Sequence, residues 1–194
     1  MNYLEQPLAD FLDSVASGEP APSGGAVAAV AVALAAGLCS MAADLSADHL
    51  ADAAELAERA ERLRRRVAPL AQEDATAYGH VLAAYRTPDD EDPDVRWGRI
   101  QRALSEATDV PLTIAETGAM VAEIAARLTR EGNQNLRGDA VAAALLAEAG
   151  TRAAAVLVEI NMGAGEIADD RLERVGEFVA RAVGAVRGTV ESEG

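Results

Sequence analysis

From Ala26 to Ala43 the chain runs 18 residues without a single charge. Nothing else in the sequence restricts the fold as strongly. A stretch of that length is either a membrane span at its short limit or a helix enclosed by protein. Half of the run is alanine, with only two leucines and no isoleucine or phenylalanine. Alanine contributes little to transfer into lipid, and no aromatic belt flanks the segment. The expectation is a central core helix, buried all round and approached closely by its neighbours.

The remaining composition points the same way. Alanine fills 45 of 194 positions, aromatics make up 3%, and all 17 basic residues are arginine. Alanine, leucine, arginine and glutamate favour helix, and isoleucine, threonine and aromatic residues are too sparse for a strand-rich protein. The predicted fold class is all-α, a single-domain multi-helix bundle over residues 1–194. Helices are expected over Pro7 to Ala16, from an N-cap at Ser23 to about Ala47, and from Ala51 to Tyr85 with a break at Pro69. An acidic loop, Thr87 to Asp94, precedes a helix through Val95 to Ala107. Asp109-Val110-Pro111 starts another, which reaches Arg130. Asp139 should cap a helix through Ala147 and on past Gly150 to Ile160. The last helix runs from Asp169 to about Glu191, with Leu172, Val175, Phe178, Val179, Val183 and Val186 facing inward.

A net charge of −15 and a pI near 4.5 repel phosphate backbones and anionic lipid surfaces, so neither nucleic acid nor membrane is an expected partner. The lone Cys39 cannot form an internal disulfide, and two histidines, His49 and His80, are too few for a metal site, so none is expected. The N-terminus lacks a basic and an apolar leader segment, which predicts a cytoplasmic, soluble protein.

Four polar or glycine-rich segments sit where a plain bundle does not need them. Ser23, Gly24 and Gly25 follow two prolines and open the alanine-rich helix. Two glycines in a first turn cost roughly 1–2 kcal/mol of helix propensity. They suit either a tight helix crossing or a ligand approaching the free N–H groups. On the second view, Gly25→Ala should weaken binding without loss of stability. Asp74, within Leu70-Ala71-Gln72-Glu73-Asp74-Ala75-Thr76-Ala77-Tyr78, is one helical step from both Leu70 and Tyr78, on an apolar stripe where a carboxylate must be paired, functional or at the rim of the core. Asn133, Asn135 and Asp139 lie in a polar connector, where they serve as turn and cap residues or as ligand contacts. Asn161 ends an apolar helical run, where it serves as a C-terminal cap or as a ligand contact.

Taken in order, these segments with Val110-Pro111-Leu112-Thr113-Ile114-Ala115-Glu116 resemble the cyclodeaminase/cyclohydrolase family of folate enzymes over about residues 7 to 190. The resemblance implies an all-helical homodimer with a folate site at or near the subunit interface. It implies hydrolysis of 5,10-methenyltetrahydrofolate to 10-formyltetrahydrofolate, or cyclisation of 5-formiminotetrahydrofolate with release of ammonia. Asp74 falls on the family's acidic catalytic position. Ser23, Gly24, Gly25, Asn133, Asn135, Asp139 and Asn161 fall on or beside its substrate-binding segments. No metal or redox cofactor is implied, the tetrahydrofolate derivative being the substrate. Where the family has PGGGS this chain has Pro22-Ser23-Gly24-Gly25-Ala26, and Gly138 replaces a serine before Asp139. Ser46 to Leu50 replaces a basic segment. These departures also suit a second reading, a catalytically inactive helical dimer that keeps the scaffold and a ligand pocket.

Overall fold

The computed structural model describes residues 2–86 and 92–190, so part of the expected acidic loop, residues 87–91, lies outside the described residues. After a 3-10 turn at Tyr3–Glu5, the chain forms α1 (Leu8–Val15), α2 (Gly24–Asp44), α3 (Ala53–Val67) and α4 (Leu70–Tyr85). These are followed by α5 (Pro93–Glu131), a 3-10 turn at Gln134–Leu136, α6 (Arg137–Ala164) and α7 (Arg171–Val190). Among the described residues every regular element is helical, which agrees with the all-α expectation.

Helices α2, α5 and α6 meet along their lengths, with α3 and α4 against α2 and α7 across α5 and α6. The core is made mostly of alanine and valine, with Ala28, Val32, Ala36 and Cys39 of α2 in one buried cluster with Ala119, Ala122, Ala147 and Val158. Small side chains bring the axes close, and glycines bring them closer. A Cβ on Gly150 would come within 2.6 Å of Val32 Cγ2 and 3.2 Å of the Ala28 carbonyl oxygen, so α2 and α6 cross where only glycine fits. Gly118 is enclosed in the same way by the Thr151 hydroxyl and the Ala147 carbonyl. Thr108, Thr129 and Thr151 are buried, yet each hydroxyl donates to the carbonyl four residues before it, so none is left unpaired in the core.

Several expectations are corrected. Helix α2 ends at Asp44 rather than Ala47, and it is not buried all round. One face is enclosed, while Val27, Leu34 and Met41 are 41%, 59% and 38% exposed on the other. By length and hydropathy both α2 and the Gln134–Ala164 stretch could cross a bilayer, and about half of each is buried inside the chain. The two helices expected around Pro111 are one, because α5 runs unbroken through that proline. Asp139 does not cap α6; the cap position is Leu136 and Asp139 stands in the first turn, where its charge suits the helix dipole. Leu172 is 45% exposed rather than inward, since α7 begins at Arg171 and its first turn is fixed by that arginine instead. The buried Arg171 guanidinium binds Asp169, Asp109 and the Ser105 carbonyl, which ties α7 to α5.

Candidate active site

Asp74 lies in the second turn of α4 and is buried, 9% exposed. Its Oδ2 accepts a hydrogen bond from Ser23 Oγ at 2.7 Å, and the backbone N–H of Ala26 donates to the same carboxylate. Asp74 thus does for α2 what an N-cap side chain ordinarily does, from a different helix. Ser23 holds the cap position with extended backbone, but its hydroxyl makes no cap bond and turns to Asp74 instead. Burial raises the Asp74 carboxyl above the ordinary carboxylate range, and the two hydrogen bonds only partly offset it.

This arrangement separates the two glycines. A Cβ on Gly25 would collide with the Asp74 Oδ1 and Cγ and lie 2.7 Å from Oδ2, so the carboxylate occupies the space a side chain would take. At Gly24 the corresponding position is open, with no atom within 4 Å. The expectation that Gly25→Ala leaves stability intact is therefore overturned. Gly25 is required by a packed carboxylate, whereas Gly24 faces open space.

Beside Asp74 is a cavity of about 370 Å³, within the range of small-molecule sites. Ser23 and Gly24 form one wall, Asp74, Tyr78 and Val81 a second. Leu104 and Ala107 of α5 and Leu157 and Asn161 of α6 close it. The lining is apolar except for one carboxylate, two hydroxyls and one amide, which is enough to orient a ring and move one proton. Asn161 is half-buried and its Nδ2 donates to the Ala107 carbonyl at 3.2 Å. Neither histidine lines this cavity. Among the described residues no group of three or more His, Cys, Asp or Glu is placed to hold a metal ion. Cys39 is buried away from it, its thiol pushed up to about 12 by burial.

The structure therefore brings together Ser23, Gly24, Gly25, Asp74 and Asn161. It does not bring Asn133, Asn135 and Asp139 to them within one chain. Asn133 Nδ2 donates to the Leu45 carbonyl just beyond the far end of α2, about 30 Å along that helix from Ser23. Its Oδ1 accepts from Asn135 N at 3.0 Å, and its own N–H donates to Ser46 Oγ at 2.9 Å, so this segment locks the α5–α6 corner onto the C-terminal end of α2. Tyr78 and Val81 were not among the expected site residues, although Tyr78 is one helical turn from Asp74 and that spacing carried the signal. Tyr3 was also missed: it docks on α4 through its N–H to Gln72 Oε1 at 3.3 Å, and burial together with the negative Asp74 raises its phenol. No local pattern announces a contact across 69 residues of sequence.

A second, larger hollow of about 580 Å³ lies on the outer face of α2, among Val30, Leu34, Leu38 and Leu146. Its one charged lining residue, Arg64, is paired with Glu61, so it offers no proton-transfer group.

The family model for formiminotransferase-cyclodeaminase matches residues 7–175. A methenyltetrahydrofolate cyclohydrolase of Methylorubrum extorquens is 36% identical over 183 residues, covering 89% of this chain and 88% of that protein. The formimidoyltransferase-cyclodeaminase of Sus scrofa is 33% identical over 177 residues, which cover 87% of this chain but 32% of that longer protein. The crystal structure of a formiminotetrahydrofolate cyclodeaminase from Thermotoga maritima superposes with a TM-score of 0.85 at 29% identity, over 97% of this chain and 96% of that one. In sequence and in fold, this chain belongs to the formiminotransferase-cyclodeaminase family.

Proposed function

We propose that the protein is a one-carbon folate enzyme that hydrolyses 5,10-methenyltetrahydrofolate to 10-formyltetrahydrofolate. The observation that carries this reading is the Asp74 carboxylate, buried at the wall of an otherwise apolar cavity and held by Ser23 and the start of α2. The substrate's bridging carbon belongs to a cationic amidinium. A carboxylate beside it stabilises that cation and takes a proton from the attacking water. The new C–O bond forms at the bridging carbon, the bond from that carbon to the N5 side breaks, the proton held by Asp74 goes to the departing nitrogen, and the second proton of the water leaves to solvent as the formyl C=O forms. A raised carboxyl suits both halves of that exchange. The likeness to the Methylorubrum cyclohydrolase over most of both chains favours this direction.

The second reading is cyclisation of 5-formiminotetrahydrofolate with loss of ammonia, favoured by the name of the Thermotoga structure. Here the same carboxyl protonates the departing nitrogen. Neither reaction calls for a redox cofactor, because the folate carries the electrophilic carbon itself. We further infer a cytoplasmic protein and a homodimer, the second supported by the exposed apolar stripe Val27, Leu34 and Met41 along α2. Asn133, Asn135 and Asp139 remain proposed substrate contacts only in such an assembly, since one chain holds them far from Asp74. The test is ultraviolet absorbance: mixing methenyltetrahydrofolate with protein should bleach the chromophore well above the buffer rate. No acceleration, together with ammonia release from formiminotetrahydrofolate, would select the second reading; neither activity would leave the inactive scaffold.

A further inference from the structure

Pro111 stands inside α5 and has no N–H, so the carbonyl of Ala107, four residues earlier, loses its helical partner. That carbonyl is not left bare. Asn161 Nδ2 of α6 donates to it at 3.2 Å, and both Ala107 and Asn161 line the Asp74 cavity. The orientation of the amide follows from chemistry, because a carbonyl oxygen only accepts and a flipped amide would set two oxygens face to face. The amide is thereby held through one of its two Nδ2 hydrogens against α5, and the acceptor Oδ1 has no protein donor among the described residues.

We propose that Pro111 and Ala107 lock the Asn161 amide so that Oδ1 accepts an N–H of the substrate's reduced pterin, making Asn161 a specificity-determining contact and Pro111 a positioning residue. This rests on the folate reading above. A free asparagine can turn either end of its amide to a given point; a locked one fixes Oδ1 there as an acceptor, and so favours rings that present an N–H group at that point.

The test is a two-residue cycle of Pro111→Ala and Asn161→Ala, read by thermal unfolding and by steady-state hydrolysis of methenyltetrahydrofolate. Asn161→Ala alone should lower Tm, since the Ala107 carbonyl is then orphaned, and should raise KM. Pro111→Ala supplies a backbone N–H to that carbonyl, so the double variant should recover the Tm lost by Asn161→Ala, which keeps the test valid even if the single variant folds poorly. KM in the double variant should stay about three- to tenfold above wild type with kcat little changed, the signature of a lost ligand hydrogen bond. Pro111→Ala alone should raise KM in the same sense, by releasing the amide. If KM in the double variant returned to the wild-type value along with Tm, Asn161 would be only the partner of a stranded carbonyl and the proposal would be overturned. A wild-type chain that neither hydrolysed methenyltetrahydrofolate nor bound 5-formyltetrahydrofolate would instead overturn the folate reading, and the proposed contact with it.

Discussion

Two opposed effects act on the Asp74 carboxylate: the Ser23 hydroxyl and Ala26 N–H favour its charge, burial disfavours it, and burial is the larger. The folded chain therefore holds this proton to higher pH than the unfolded chain, whose carboxyl titrates near the ordinary 3.8. As pH rises from 3.8 through the raised value, the group's contribution to stability falls; outside that window it is flat. Asp74→Asn removes the buried charge and keeps an acceptor for Ser23 or Ala26, so its Tm should equal or exceed wild type above the window. Its turnover should fall at least ~100-fold, the low end for loss of a general base. Glu73→Gln, one residue away and exposed, should be nearly silent. The wild-type rate should rise with pH through a limb placed above 3.8; a limb at or below that value would remove the argument for a tuned carboxyl. The glycine pair provides an independent check. Gly25→Ala should cost about 1–3 kcal/mol, since the hydrogen-bonded Asp74 carboxylate must be displaced. Gly24→Ala should leave Tm unchanged or slightly higher and raise KM by narrowing the cavity. Equal Tm values for the two variants would contradict the close approach of Asp74 to α2.

At the scale of elements, the crossing of α2 and α6 depends on one hydrogen atom in place of a methyl group. Gly150→Ala should push Val32 and the Ala28 carbonyl aside at about 1–3 kcal/mol, seen as a drop of several degrees in Tm. A Tm at or above wild type would mean the helices can part without loss. The helices themselves were legible because periodicity and breakers are local: Pro69 divides α3 from α4, and Gly132 ends α5. Pro111 misled for a physical reason. A proline is a start signal when the carbonyl it strands faces solvent, and is tolerated mid-helix when another group satisfies that carbonyl. The satisfying group here, Asn161, is 54 residues away. The site was legible in the same proportion. Asp74 and Tyr78 share a face by helical spacing alone, and Ser23 to Gly25 stand out because glycine is costly in a helix. The pairing of those two segments across 51 residues was not legible. Nor was the placement of Asn133 at the opposite end of α2, because spacing in sequence carries no distance in space.

Over the whole molecule, a charge of −15 has to coexist with an apolar stripe on α2 that the chain leaves open to solvent. Val27, Leu34 and Met41 recur at helical intervals, and Leu145 and Leu146 of α6 are also exposed, at 47% and 37%. A contiguous surface of this kind in a soluble protein is ordinarily an interface. In the homodimer proposed above, a second copy would supply the complementary surface, because a two-fold axis sets the same stripe against itself. Association then has to overcome repulsion between two bodies of like charge, and that repulsion is long-ranged at low salt. The prediction is a dimer that tightens as salt rises from about 10 mM to 1 M, since screening weakens the repulsion and leaves apolar burial intact. An interface held by ion pairs would weaken over the same range. Leu34→Asp places a charge in the middle of the stripe and should yield a monomer with α-helical content unchanged. Sedimentation equilibrium across the salt series checks both statements: a wild-type mass of one chain at micromolar concentration in high salt, or a Leu34→Asp variant that still dimerises, would show that the α2 stripe is not where the copies meet.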